Sequence, residues 1–239
     1  MKKLIQKIVN LSGYAITKKK NFEKIYRTLD DSIKKIIIKE NPVIFDVGAH
    51  EGETIKRFLK IYTNPKIYSF EPQKKCFQKL KSYENKDCII ENIAFGEKKE
   101  VKSIFIYKDS STSSLYNLSK NTKYNKDLNV ESEETINIET LDNYVKKNNI
   151  SFIDLLKIDT QGHEKKVLEG ALETLRKKTF LLEVELIFVD YYDKKNSFYD
   201  LESILKPIGF ELYSLSTPTF SKIHRIKWID ALYINKTLK

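Results

Sequence analysis

Apolar positions along the chain keep two periods, and the switch between them marks out the elements. Phe22, Ile25, Tyr26, Leu29, Ile33 and Ile36 recur at helical spacing, predicting a helix from Phe22 to about Lys39 that Asn41-Pro42 stops. After Pro42 short apolar runs alternate with amphipathic stretches. They predict a strand Val43–Val47, a helix from about Glu53 to Ile61, a strand Ile67–Phe70 and a helix from about Gln73 to Tyr83. β-Branched and aromatic residues predict further strands at Cys88–Ile93 and Val101–Tyr107. From Asp109 to Thr135 the chain turns polar and reads as a long loop, a length at which loops inside compact domains are often functional.

The rhythm resumes with a strand at Thr135–Ile138 and a helix Leu141–Lys147 that Thr140 caps. A strand Phe152–Asp159 follows, then one helix carrying Val167, Leu168, Ala171, Leu172 and Leu175, and a buried strand Phe180–Leu186. The tail predicts a short helix near Leu201–Leu205, a strand Phe210–Leu215, a loop at Pro218 and a last strand near Ala231–Ile234. Strands separated by helices predict an α/β fold with a mostly parallel sheet covered on both faces. The last two strands are too close in sequence for a helical crossover, so they pair antiparallel.

Composition narrows the class. A chain of 239 residues with 41% hydrophobic content can bury a sizeable core. The net charge of +10 invites a nucleic-acid partner, but only Arg27, Arg57, Arg176 and Arg225 among 43 basic residues are arginines. Nucleic-acid readers spend arginine on bidentate contacts, so the charge reads as a lysine-rich surface and no nucleic-acid partner is expected. Cys76 and Cys88 form no framework and point to a reducing, cytoplasmic setting. No segment approaches a membrane span of roughly 20 apolar residues. Leu4, Ile8 and Leu11 make a basic amphipathic helix within residues 1–20, suited to docking on the domain, on a second subunit of a homo-oligomer, or peripherally on a membrane. Residues 1–41 thus read as a helical extension preceding a domain over 42–239.

Candidate chemistry gathers where the first strand ends. In "VIFDVGAHEGET" Gly48 and Gly52 bracket Ala49, His50 and Glu51, so the glycine that seats a pyrophosphate in a dinucleotide loop is missing. Glu71 ends the next strand where such sheets place the acid that takes ribose hydroxyls. A ribose without a pyrophosphate fits S-adenosylmethionine.

These stretches, with "SFEP", "ENIAFG", "SSTSSL", "IETLDNY" and above all "DLLKIDTQGHEKKVLEGA", resemble the successive motifs of FkbM-type S-adenosylmethionine-dependent methyltransferases. The resemblance spans about Val43 to Glu185 and implies a Rossmann-like class I fold of seven strands with a reversed last strand. It also implies O-methylation, commonly of a sugar or polyketide hydroxyl. Carried over by motif, Asp46, Gly48 and Gly52 are expected to form the cofactor loop, Glu71 to hold the ribose, and Asn92 with Ala94 to border the adenine, while His50, following the loop, is expected at the methionine carboxylate of the cofactor or at the substrate. Ser113 and Ser114 approach or close over the cofactor. Gln161 stands where the family often has an acid, which keeps a non-catalytic binding module in view beside small-metabolite or polyketide acceptors. The leading expectation is a cell-surface glycan precursor as acceptor.

Methyl transfer to a hydroxyl needs the acceptor placed and its proton removed. Asp159 and Glu185 end neighbouring strands and suit either a base with its orienter or oxygen ligands for Mg²⁺. His163, at a helix start whose dipole disfavours imidazolium, is a third candidate base. Lys157, set in a buried run, needs a carboxylate, and Glu183 or Glu185 is the expected partner.

Overall fold

The computed structural model describes Ile5 and residues 28–119, 130–193 and 196–238. The helix expected within residues 1–20 lies outside them apart from Ile5. Of the helix expected over 22–39, α1 (Leu29–Ile36) is described, opened by a capping box between Thr28 and Asp31.

A large sheet runs through the molecule in the order β3 (Cys88–Glu91), β2 (Lys66–Phe70), β1 (Val43–Val47), β7 (Ile153–Ile158), β8 (Thr179–Ile187) and β11 (Ile226–Asn235). The first five strands are parallel. β11 runs antiparallel to β8 on one side and to β9 (Phe210–Leu215) and the two-residue β10 (Thr219–Phe220) on the other. The seven principal strands and the reversed last one match the expected class I arrangement.

Helices α2 (Glu53–Ile61), α3 (Lys74–Leu80), α4 (Leu141–Lys147), α5 (Glu164–Glu169), α6 (Leu172–Lys178) and α7 (Phe198–Leu205) fill the connections. Strand alternation builds a core on each face of the sheet. The consecutive residues Ile44 and Phe45 go to opposite cores, Ile44 with Ile33, Ile55 and Phe58, Phe45 with Phe70, Tyr144 and Leu156.

Several expected boundaries move. The strand expected at 88–93 ends at Glu91, and beyond Asn92, whose side chain is bonded to carbonyls just past the end of β2, Ala94–Phe95 (β4) joins a separate three-stranded sheet with β5 (Glu100–Tyr107) and β6 (Val130–Glu139). β6 begins five residues before the expected Thr135. Its exposed first half, "VESEE", alternates no apolar side chains and is held by pairing with β5 instead. The single helix expected after β7 is two, α5 and α6, broken at Gly170. There a Cβ would come within 1.9 Å of the Gly96 carbonyl oxygen, so close approach of the backbones sets the break. The last strand is longer than Ala231–Ile234, and its amino-terminal half, with β10, was hidden by the polar and basic residues between Ser221 and Lys227.

Candidate active site

A cavity of about 930 Å³ opens at the carboxyl ends of β1, β2, β7 and β8 and reaches across to β11, the edge at which open α/β sheets bind ligands. Sheet register sets out its floor. Asp46 pairs with Lys157 and Lys157 with Glu183, forming one row across three strands. Two residues further on, Asp159 follows the Ile158–Val184 pair and comes level with Glu185, whose antiparallel partner is Asp230.

At one end the turn after β1 is fixed by main-chain bonds. The Gly48 and Ala49 amides both donate to the Phe70 carbonyl, at 3.0 and 3.1 Å, and the Asp159 amide donates to the Val47 carbonyl at 2.9 Å. Gly48 lines the cavity at φ +88°, and a Cβ there would lie 1.9 Å from the Asp159 carbonyl oxygen. Its bareness therefore serves the closure of the turn onto β7 as much as access to a ligand. Gly52, expected in the cofactor loop, is absent from the cavity wall. Its φ is +92°, and a Cβ there would meet the Tyr83 and Leu80 side chains at 3.0 and 3.2 Å, which makes it a packing glycine. Asp46 also corrects the expectation. It is fully buried beneath the loop, 3.9 Å from Lys157 Nζ, and burial pushes its carboxyl up to about 6.

Glu71 does reach the wall. Its two oxygens accept the amides of His50 and Gln73, each at 2.8 Å, leaving lone pairs toward the cavity. Burial pushes this carboxyl up to about 7, against the two amides. Asn92 stands behind it: Nδ2 donates to the carbonyls of Glu71 and Pro72, both at 2.9 Å, so Asn92 shapes the turn and is not part of the wall. Ala94, with Ile93 and Phe95, supplies an apolar shelf. His50, at φ +45°, lines the cavity with its Nε2 2.8 Å from Ser110 Oγ. Ser113 lines it as well and accepts the Tyr107 amide at 3.3 Å, whereas Ser114 donates to the Gln161 carbonyl at 2.7 Å and is off the wall. An acid at the end of β2, a bare turn after β1 and an apolar shelf fit a nucleoside cofactor.

The other end is held by side chains. Gln161 Nε2 donates to Asp159 Oδ1 at 2.9 Å and to Glu185 Oε2 at 3.1 Å, and its Oε1 accepts the Tyr192 hydroxyl at 2.8 Å. Lys157 pairs with Asp159 at 3.1 Å and with Asp46, which corrects the expectation of Glu183 or Glu185. Glu183 is taken by Arg57, whose guanidinium also binds Asp30 in the first turn of α1. The acids are pushed apart as a result. Despite burial, Lys157 and Gln161 hold Asp159 below its ordinary range. Burial, then the charges of Asp159, Glu164 and Asp230, raise Glu185 well above its own. Asp230 rises to about 6, chiefly by burial.

This arrangement does not fit Mg²⁺ between Asp159 and Glu185, since the Gln161 amide fills the place an ion would take and Lys157 holds the other Asp159 oxygen. Elsewhere, His50, Glu51 and Cys76 bring ligand atoms within 4.8 Å of one another. Glu51 is paired with Lys79, and burial lifts the Cys76 thiol to about 11, opposing the thiolate a metal requires.

His163 is brought to a different wall of the cavity from the acids. Its Nδ1 lies 3.2 Å from the Tyr116 hydroxyl, and a Cβ on Gly96 would be 3.3 Å from its Nε2. Burial, then Lys102 and Lys166, lower its pKa to about 4. Burial thus disfavours the imidazolium form, and a group so hard to protonate is a weak proton acceptor.

Sequence reasoning missed Gln161 as a bridge, Tyr192, Asp230 and the wall formed by Tyr191 and Trp228. The reversed last strand was the available signal, because it had to bring residues near 230 beside Glu185. No helix among the described residues is long and apolar enough to cross a membrane.

The 2-O-methyltransferase NoeI of Sinorhizobium fredii (strain NBRC 101917 / NGR234) is 25% identical over 174 residues, 68% of each chain. The crystal structure of Methyltransferase FkbM from Methylobacillus flagellatus KT superposes with a TM-score of 0.52 at 14% identity, over 89% of this chain and 49% of that one. This chain spans about half the length of that structure, and the likeness is one of fold. Residues 46–212 match the family model described as the methyltransferase FkbM domain, and the chain belongs to this family of S-adenosylmethionine-dependent methyltransferases.

Proposed function

We propose that the protein moves the methyl group of S-adenosylmethionine to a hydroxyl of a carbohydrate, as a cytoplasmic step in making a cell-surface glycan precursor. The observation that carries this reading is the pair Glu185 and Asp159, split in proton affinity and bridged by Gln161 in the cavity that also holds the Glu71 end. Two acids whose environments separate their affinities divide naturally into a proton acceptor and a fixed charge. The cofactor supplies a sulfonium-bound methyl carbon open to attack.

Glu71 would take the ribose hydroxyls on its remaining lone pairs, Gly48, Ala49 and His50 would flank the methionine portion, and Ala94 would back the adenine. Glu185 faces the place for the acceptor hydroxyl and would take its proton as that oxygen accepts the methyl group, which the bound cofactor would supply with its sulfur as the leaving group. Gln161 fixes the angle of Glu185, and the ionised Asp159, held by Lys157, anchors Gln161. Tyr191 and Trp228, with ring centroids 6.1 Å apart and planes tilted by 50°, offer aromatic surface of the kind a sugar ring stacks against. The relative described as a 2-O-methyltransferase supports oxygen as the acceptor atom.

The test incubates purified protein with S-adenosylmethionine and a panel of mono- and oligosaccharides, nucleotide sugars and phenolic metabolites, and measures S-adenosylhomocysteine release. Release with sugars and mass gain of one methyl on the sugar are expected. Turnover confined to the phenolic acceptors would overturn the carbohydrate assignment.

A further inference from the structure

Among the described residues, the acceptor end holds a cation, Lys227, that the acids around it do not use. Lys157 is engaged by Asp159 and Asp46, and Arg57 by Glu183 and Asp30. Lys227 also lines the cavity, yet among the described residues its ammonium has no carboxylate partner, although Asp230 is three positions along the same strand. Nζ lies instead 4.2 Å from the Trp228 ring centroid and 5.9 Å from that of Tyr191. Main-chain pairing fixes the base of this side chain, since the Phe188 amide donates to the Lys227 carbonyl at 2.8 Å.

An ammonium over an aromatic face keeps most of its capacity for an anion, because the ring contact is weaker than an ion pair and leaves other N–H donors free. Trp228 and Asp230 are two residues apart on one face of β11, about 7 Å, and Asp230 is the cross-strand partner of Glu185. Because Nζ covers one face of Trp228, a sugar ring that packs against the rest of that indole has Lys227 beside it and the proton acceptor toward its other end. Resting on the carbohydrate reading above, we infer that the acceptor is an anionic sugar whose carboxylate or phosphate is read by Lys227 while a hydroxyl of the same ring faces Glu185.

Trp228 is the sole tryptophan of the chain, so its fluorescence reports this spot alone. The experiment titrates the full chain, saturated with S-adenosylhomocysteine at low ionic strength, with glucuronate, glucose 1-phosphate and glucose. An anionic sugar is expected to bind at least threefold more tightly than glucose. Whichever anionic arm is tighter identifies carboxylate or phosphate as the group recognised. In Lys227→Gln the ratio is expected to fall to about one, and in Lys227→Glu to invert, with S-adenosylhomocysteine calorimetry confirming that both variants are folded. Equal binding of all three sugars by the natural protein, or a preference that survives in Lys227→Gln, would overturn the inference and leave the carbohydrate reading standing. Binding of none of them would remove both.

Discussion

The two ends of the cavity are built by different means. Around Gly48 and Glu71 nearly every fixed contact is a main-chain amide or carbonyl, and the residues involved lie on two consecutive strand–helix turns. Around Glu185 the fixed contacts run between side chains, and those that tie Gln161 to Glu185 and Tyr192 to Gln161 join residues 24 and 31 positions apart. A ligand common to a whole class of enzymes can be held by backbone geometry, which tolerates changes in side chains. An acceptor that differs from enzyme to enzyme is better read by side chains, which can change without moving the sheet.

The same difference explains what the sequence disclosed. Turn glycines, a strand-end acid and a strand–helix rhythm are local patterns, so the cofactor end and the order of strands could be read directly. Even there, the reason for a residue was harder to read than its presence: Gly52 and Asn92 matter through Leu80, Tyr83 and two carbonyls, none of which a motif displays. The acceptor end depends on pairings such as Glu185 with Asp230, fixed by β11 inserting beside β8. Its parts are ordinary residues until the sheet closes. β6 failed for another reason, since an exposed strand carrying charges has no apolar period to follow.

If this contrast is right, damage at the acceptor end removes chemistry and spares binding. Glu185→Gln keeps the size of the side chain and takes away the proton acceptor. Transfer is expected to fall by about 10²–10⁴-fold, the range for general-base catalysis, with cofactor affinity unchanged. In the natural enzyme, activity is lost as pH falls through the raised pKa of Glu185, so the acid limb of kcat lies above the ordinary glutamate value of 4.5. A rate profile together with calorimetric binding of S-adenosylhomocysteine measures both. Retention of more than a tenth of the rate would return the proton to another acceptor.

Damage at the cofactor end acts first on the fold. Gly48→Ala puts a methyl group against the Asp159 carbonyl and asks alanine to hold φ near +88°. Backbone strain and overpacking together are expected to cost about 3 kcal/mol. For a chain of this size that lowers the melting temperature by roughly 6–12 °C. Because Gly48 fixes the end of β7, the loss is expected with and without cofactor. A melting temperature unchanged in the absence of cofactor, with binding lost, would make Gly48 a contact for the ligand alone.

The smallest effect separates His163 from both ends. Its hydrogen bond to Tyr116 and its burial make it a structural imidazole, so His163→Gln is expected to change turnover by less than about threefold and to lower stability by about 1 kcal/mol near pH 8. The pH dependence gives a sharper reading. With a folded pKa lowered to about 4, the natural protein keeps the ring neutral while the unfolded chain takes up a proton below about 6.5. The stability His163 confers is therefore full above pH 6.5 and drains away as pH falls toward 4. Glutamine does not titrate, and the raised carboxyls of Asp46, Glu71 and Asp230 act equally in both proteins. Denaturant titrations from pH 8 to pH 5 are thus expected to show the gap between natural protein and variant narrowing and then reversing. A gap that stays constant with pH, joined to a loss of turnover beyond a hundredfold, would place His163 in the proton transfer and divide the chemistry between two walls of the cavity.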